Sequence, residues 1–211
     1  MSLVSLVHCT RNAEDLIVEM ARVSNPANQA AKLNNIRLLK YLIEHKHWSP
    51  FEMASMCVEI HTTRAISPQL LRHKSFSFQE FSQRYAAVEG EAKLPDFRRQ
   101  DNKNRQNSID DLNEFLTQDL QVKTQICYAH CHDLYQYMLE AGVAKECARS
   151  VLPLGSSTRL YMHGNIRSWI HYVELRTDPS TQKEHREIAH KIKKIMYHEF
   201  PTITEAAFIN E

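Results

Sequence analysis

The sequence predicts a mostly helical α+β fold with a few short strands. Two observations carry this. Apolar residues recur at helical spacing through most of the chain, and a two-residue period surfaces only in short stretches. The length of 211 residues, 43% of them hydrophobic, suits one core and one domain over 1–211.

Taken in order, residues 12–23 read as a first helix, with Ala13, Leu16, Ile17, Met20 and Ala21 on one face. Residues 28–45 read as a second, carrying Leu33, Ile36, Leu39, Leu42 and Ile43 and stopped before Trp48-Ser49-Pro50. Over 55–62 the period becomes two: Met56, Val58 and Ile60 alternate with Cys57, Glu59 and His61, a strand with one buried face. Ser67-Pro68 opens a short helix toward His73, with proline where no amide hydrogen is needed. Residues 89–105 are polar and contain Gly90 and Pro95, the mark of a long surface loop. A long helix is expected over 108–141, closed by Gly142, then a short one over 144–151. A strand at 157–162 leads to Asn165, a good N-cap for a helix through Leu175, and a last helix spans 181–198.

Composition excludes several functions. The four glycines form no G-x-G pair, which removes the dinucleotide fingerprint, the Walker loop and the nucleophile elbow. Lysine and arginine (26) nearly cancel aspartate and glutamate (25), a poor start for a dedicated nucleic-acid binder. The first residues lack the basic start and apolar run of a signal peptide, and no stretch is apolar enough to cross a membrane. Five cysteines, an odd number without a pairing pattern, fit a reducing cytoplasm. A soluble cytoplasmic protein is expected.

The densest polar cluster runs from Arg72 to Tyr85. On the preceding helix Gln69, Arg72 and His73 share a face and offer converging donors to an anion. A solvated basic face is the plain alternative, but Phe76, Phe78, Phe81 and Tyr85 are interleaved with the charges and suggest enclosure. In the helix from Asn165, Ile166, Trp169, Ile170 and Val173 form the core stripe, Arg167, His171 and Glu174 stack on another side, and Arg176 falls near Trp169 and Tyr172. Arg176 reads either as a site residue or as half of an internal ion pair with Glu174 or Glu146. Arg149, a turn after Glu146, reads alone as an ion-paired helix residue. Cys127 and Cys131 are four apart and could share a metal, yet no second ligand pair accompanies them, so thiols on the buried side of a helix is the better reading and no metal is expected. Two other functions stay open on residues alone: a nucleic-acid module using Arg72, Lys74, Arg84 and the basic loop Arg98-Arg99-Lys103-Arg105, and a metal-dependent hydrolase on the Cys127/Cys131 helix.

Read as one string, Arg72-His73-Lys74-x-x-Ser77-x-x-x-x-Ser82-x-Arg84 resembles the signature R-H-R-x-x-S-x-x-x-x-S-x-R of the flavin-dependent thymidylate synthases. Further blocks are similar in the same order: Ala21 to Ser24, His47 to Glu52, Glu146 to Arg149 with Leu152-Pro153-Leu154, Asn165-x-Arg167, and Leu175-Arg176. Lys74 departs from the signature by losing the planar fork of arginine. His171, where some relatives carry asparagine, is a milder departure. The resemblance implies a small, mainly antiparallel sheet packed with several helices, a homotetramer with sites at subunit interfaces, and conversion of dUMP to dTMP. The donor would be 5,10-methylenetetrahydrofolate, with FAD as redox carrier, NADPH as reductant and no cysteine nucleophile. It places Gln69, Leu70, Leu71, Arg72, Glu80, Phe81, Ser82, Gln83, Arg84, Arg149 and Arg176 around dUMP. It places Ser49, Arg72, His73, Lys74, Glu80, Asn165, Ile166, Arg167 and His171 around FAD, and His47 near flavin and folate. It gives Arg176 the catalytic role of favouring the N3-deprotonated uracil.

Overall fold

In a computed structural model, residues 2–24 and 35–208 are described. Six strands and eight α-helices are found among them. The strands are β1 (Leu3–Cys9), β2 (Ser55–Thr63), β3 (Ser77–Glu80), β4 (Arg99–Gln100), β5 (Ser108–Ile109) and β6 (Ser157–Asn165). The helices are α1 (Ala13–Ala21), α2 (Asn35–Glu44), α3 (Ser67–Leu70), α4 (Glu114–Glu140), α5 (Lys145–Ala148), α6 (Ile166–Thr177), α7 (Lys183–Glu199) and α8 (Pro201–Phe208). The start of the second expected helix, 28–34, lies outside the described residues.

The α+β expectation holds, with a four-stranded sheet in the order β1-β2-β6-β3 and every neighbouring pair antiparallel. The alternation in β2 does what the sequence says: Met56, Val58 and Ile60 are fully buried. They lie opposite Gly164, Met162 and Leu160 of β6, so one sheet face is continuous and apolar. Helices α1, α2, α6, α7 and α8 share a single core with that face. Trp169 of α6 is fully buried and its indole N–H donates to the Met56 carbonyl at 3.0 Å, which satisfies its polar handle inside the core.

Gly164 has a packing reason. A Cβ built there would stand 2.5 Å from the Phe76 ring. Phe76 therefore lies directly over the backbone of β6, edge-on to Trp169 at 4.6 Å between centroids. It pins to the sheet the segment that carries His73 and Lys74.

Several expectations change, among them the short helix from Ser67, which ends at Leu70 and leaves Arg72 and His73 in the turn after it rather than on a helix face with Gln69. β1 was not foreseen; its burial alternates only weakly and a bulge between Leu6 and His8 breaks the period. β3 falls inside the polar signature, where charged neighbours mask the strand. The 89–105 loop contains β4, paired to β5, so the long helix does not begin at 108. It begins at Glu114, where the Asn113 side chain accepts from the Phe115 and Leu116 amides. The strand at 157–162 runs on to Asn165 and passes directly into α6. The last helix is followed, after Phe200, by α8 with proline at its first position.

Helix α4 is the exception to the packing logic. Over 27 residues it buries only Tyr135, whose hydroxyl accepts from the Val88 amide at 3.0 Å. Phe115, Val122, Ile126 and Tyr137 are exposed. Cys127 is exposed and Cys131 half-buried, so the expected buried side for these thiols does not exist within this chain. Among the described residues, no group of three histidine, cysteine or acidic side chains is placed to hold a metal, and no helix is long and apolar enough to cross a membrane.

Candidate active site

Three neighbourhoods gather the predicted site residues. The innermost is built by α3, the turn after it, α6 and the start of α7. Arg176, near the end of α6, donates from Nε to Nε2 of His73 at 2.9 Å. An arginine only donates, so His73 must accept, which fixes the proton on its Nδ1. Burial and then the Arg176 charge lower the His73 pKa to about 4, so the ring stays neutral at physiological pH. Arg176 thus finds neither Glu174 nor Glu146: it is anchored by a neutral ring, and no carboxylate among the described residues quenches its charge. Tyr172 packs edge-on to His73 at 4.9 Å and is itself buried.

Behind this pair lies a chain of hydrogen bonds. Gln69 is half-buried, and its Nε2 donates to Gln182 Oε1 at 2.6 Å while its Oε1 meets Nδ1 of His185 at 3.3 Å. His185 is fully buried and its Nε2 lies 3.1 Å from the Tyr172 hydroxyl. Burial first, then the charge of Arg176 and the presence of His73, lower its pKa to about 3.

The second neighbourhood joins the turn Ser49–Glu52 to α6. Asn165 caps α6 by accepting from the Ser168 amide at 2.8 Å, and Ile166 is fully buried with its amide donating to the Ala54 carbonyl at 2.9 Å. At the second residue of the helix Arg167 pairs with Glu52, and one turn later His171 lies edge-on to Trp48 at 4.7 Å. Ser49 is exposed beside them, and His47 packs edge-on to Tyr41. Ser49, Arg167 and His171 are therefore brought close together.

The third lies along the edge strand β3 and its continuation. Glu80 accepts from Thr158 at 2.9 Å and pairs with Arg64 at 2.9 Å. Arg64 also donates to the Phe81 carbonyl at 2.7 Å, and the Phe81 amide donates to the Arg159 carbonyl. Beyond it the Ser82 hydroxyl accepts from the Arg84 amide at 3.4 Å. Arg84 pairs with Glu146 in the open, which leaves Arg149 without the partner its spacing suggested. Gln83 is buried, yet its Nε2 finds no acceptor, a cost of about 1–3 kcal/mol unless something supplies one.

The side chains of Arg72, Lys74 and Arg149 are all exposed and have no hydrogen-bond or ion-pair partner among the described residues. Leu71 is exposed beside Arg72, while Leu70 is fully buried in the core. Two cavities formed by described residues do not collect the predicted set. One of about 560 Å³, lined by Ile66, Asp96, Tyr128 and Lys183 among others, contains none of these residues. Another, of about 440 Å³, contains only Phe81. The set forms an open surface around a buried polar cluster.

Sequence reasoning missed His185, Gln182, Arg64 and Thr158. Only His185 carried a usable signal: it stands on the buried stripe His185, Ile188, Ala189, Ile192 and Met196 of α7, a lone polar residue on an apolar face.

Residues 5–202 match the family model described as thymidylate synthase complementing protein. The chain is 50% identical over 201 residues to a probable flavin-dependent thymidylate synthase of Paramecium bursaria Chlorella virus 1, covering 95% of this chain and 93% of that one. It is 51% identical over 193 residues to the flavin-dependent thymidylate synthase of a Synechocystis strain, covering 92% and 88%. Among solved structures, the UMP/dUMP methylase PolB from Streptomyces cacaoi, bound with 5-Br dUMP, superposes with a TM-score of 0.86 at 27% identity, covering 98% of this chain and 94% of that one.

Proposed function

The chain belongs to the thymidylate synthase complementing protein family, the flavin-dependent thymidylate synthases, and from that premise we propose that it methylates dUMP to dTMP. In this reading residues 1–211 act as one unit, and 5,10-methylenetetrahydrofolate gives its methylene group to C5 of the uracil. The C5 proton leaves, one hydride equivalent from NADPH completes the methyl group, and tetrahydrofolate and NADP+ are released. FAD, when bound, supplies the redox relay between NADPH and the methylene carbon. The residues present suit such a group. Arg72 and Lys74 offer unpaired charge to phosphates, and Ser49, Arg167 and His171 lie together at the start of α6, with Asn165 as its cap and Ile166 buried behind them.

The observation that carries the reading is Arg176. Its Nε is held by neutral His73, no carboxylate among the described residues pairs with its terminal nitrogens, and it is half-buried in the cluster of His73, Tyr172 and His185. A cation fixed in that way lowers the cost of removing the N3 proton of uracil, and the anionic ring is richer in electrons at C5. Arg149 and Arg84 would hold the nucleotide with Gln69, Leu71, Glu80, Phe81, Ser82 and Gln83, and His47 would lie near flavin and folate. The reading uses no cysteine nucleophile; burial raises the thiol pKa of Cys9, Cys57 and Cys131, which works against a thiolate at those three.

The reading includes assembly to a homotetramer. It is supported by α4, which leaves Phe115, Val122 and Ile126 uncovered, and by site residues that the cavities of about 560 and 440 Å³ mostly leave outside. The test is tritium release from dUMP labelled at C5, with FAD and methylenetetrahydrofolate present. Release that requires NADPH is expected; release that proceeds equally without any reductant would overturn the reading.

A further inference from the structure

We propose that His185 is a positioning residue: it fixes the side-chain amide of Gln69 and thereby aims that residue at the nucleotide. The inference rests on the functional reading above and extends it to a residue outside the signature.

His185 has no exposed surface, and its two ring nitrogens meet Gln69 Oε1 at 3.3 Å and the Tyr172 hydroxyl at 3.1 Å. The amide oxygen of Gln69 only accepts, so Nδ1 of His185 carries the proton. Its Nε2 must then accept, and the Tyr172 hydroxyl donates to it. The polarity continues outward: Gln69 Nε2 donates to Gln182 Oε1 at 2.6 Å, and Gln182 Nε2 donates to Glu184 at 2.9 Å. Glu184 in turn accepts from Arg98 at 2.7 Å, which ends the chain on a fixed charge. Every link is directional, so Gln69 has one permitted amide orientation and keeps one N–H of its Nε2 free for a ligand.

Burial and the neighbouring Arg176 keep His185 neutral down to acidic pH, so the pattern does not reverse across the working range. The same histidine also steadies Tyr172, whose ring packs on His73, the anchor of Arg176. An apolar side chain of the same size at 185 would satisfy the core but leave Gln69 Oε1 without its donor, so the amide would be held from the Gln182 side alone.

The test uses the full-length, flavin-loaded protein and three variants, His185→Leu, His185→Asn and His185→Gln, with dUMP Kd from equilibrium dialysis and kcat from tritium release. Asparagine keeps an amide N–H where Nδ1 stands; glutamine keeps its polar group where Nε2 stands. We expect His185→Leu to weaken dUMP binding about tenfold, the scale of one directed hydrogen bond, with flavin content unchanged. His185→Asn should return Kd to within about twofold of the parent, and His185→Gln should not. In a Gln69→Ala background His185→Leu should add no further loss. Equal dUMP affinity in the parent and His185→Leu, equal loss in the asparagine and glutamine variants, or full additivity with Gln69→Ala would each overturn the proposal. A folded, flavin-loaded parent that binds no dUMP would overturn the functional reading first and this inference with it. If His185→Leu fails to fold, the asparagine and glutamine pair decides alone.

Discussion

Arg176 and the trio Arg72, Lys74 and Arg149 carry the same charge in opposite surroundings. Arg176 is half-buried, held through Nε by a neutral histidine and backed by an ordered hydrogen-bond chain. The trio is exposed and unpartnered among the described residues. A cation prepared in advance costs no reorganisation when charge develops on a reacting group, whereas a free cation serves binding and is ordered by its anion. In the proposed reading the difference separates chemistry from grip.

The largest expected effect breaks the prepared side. Arg176→Ala should lower kcat by roughly 10²–10³-fold, the loss seen when a prearranged donor to a developing anion is removed. Steady-state turnover at saturating dUMP checks it. On the other side, Arg149→Ala should raise the KM for dUMP by about 10- to 100-fold, as expected for a charge-assisted hydrogen bond to phosphate, with kcat much less affected. Initial rates over a range of dUMP concentrations separate the two outcomes.

Gly164→Ala tests what seats the cluster. A methyl group there meets Phe76 at 2.5 Å, so the ring and the turn carrying His73 must shift. We expect about 1–3 kcal/mol of lost stability by urea unfolding, the usual cost of overpacking.

Acid should weaken the prepared side. Unfolded histidine titrates near 6.5, while folded His73 and His185 resist protonation down to about 4 and about 3. Between those values the unfolded chain binds more protons, so stability falls as pH drops from 6.5 toward 4 and then 3. Thermal melts should show Tm declining across that window, and a flat profile would contradict the neutral assignment. The smallest effect belongs to Lys74→Arg, which restores a planar fork to an exposed cation. FAD Kd should improve only a few-fold, by about 0.5–1 kcal/mol, as read by flavin fluorescence.

How much of this was legible in the sequence differs by element. β2 and the core stripe of α6 were, because burial there follows a strict period: Met56, Val58 and Ile60 on the strand, Ile166, Trp169, Ile170 and Val173 on the helix. β3 was not, since its edge position lets Ser77 and Gln79 stay exposed and the pattern reads as polar. β5 was absorbed into the long helix because nothing local in Ser108-Ile109 competes with the apolar run after Glu114; Asn113 as N-cap was the available signal.

The site divides in the same way. Its signature residues were visible as a string, and Arg176 as a cation at an apolar edge. The partner of Arg176 was not, because His73 lies 103 residues away and sequence spacing favoured Glu174 or Glu146. The orientation of Gln69 depends on His185, 116 residues further on, and only the fold brings them together.

One comparison tests the division of labour most directly: dUMP Kd and kcat measured side by side for the parent, Arg149→Ala and Arg176→Ala. The account predicts a crossed pattern. Arg149→Ala should lose about 10- to 100-fold in affinity and keep most of its turnover, while Arg176→Ala should bind dUMP within about tenfold of the parent and lose roughly 10²–10³-fold in kcat. Parallel losses in both constants for both variants would contradict it, since the two kinds of cation would then be doing the same work.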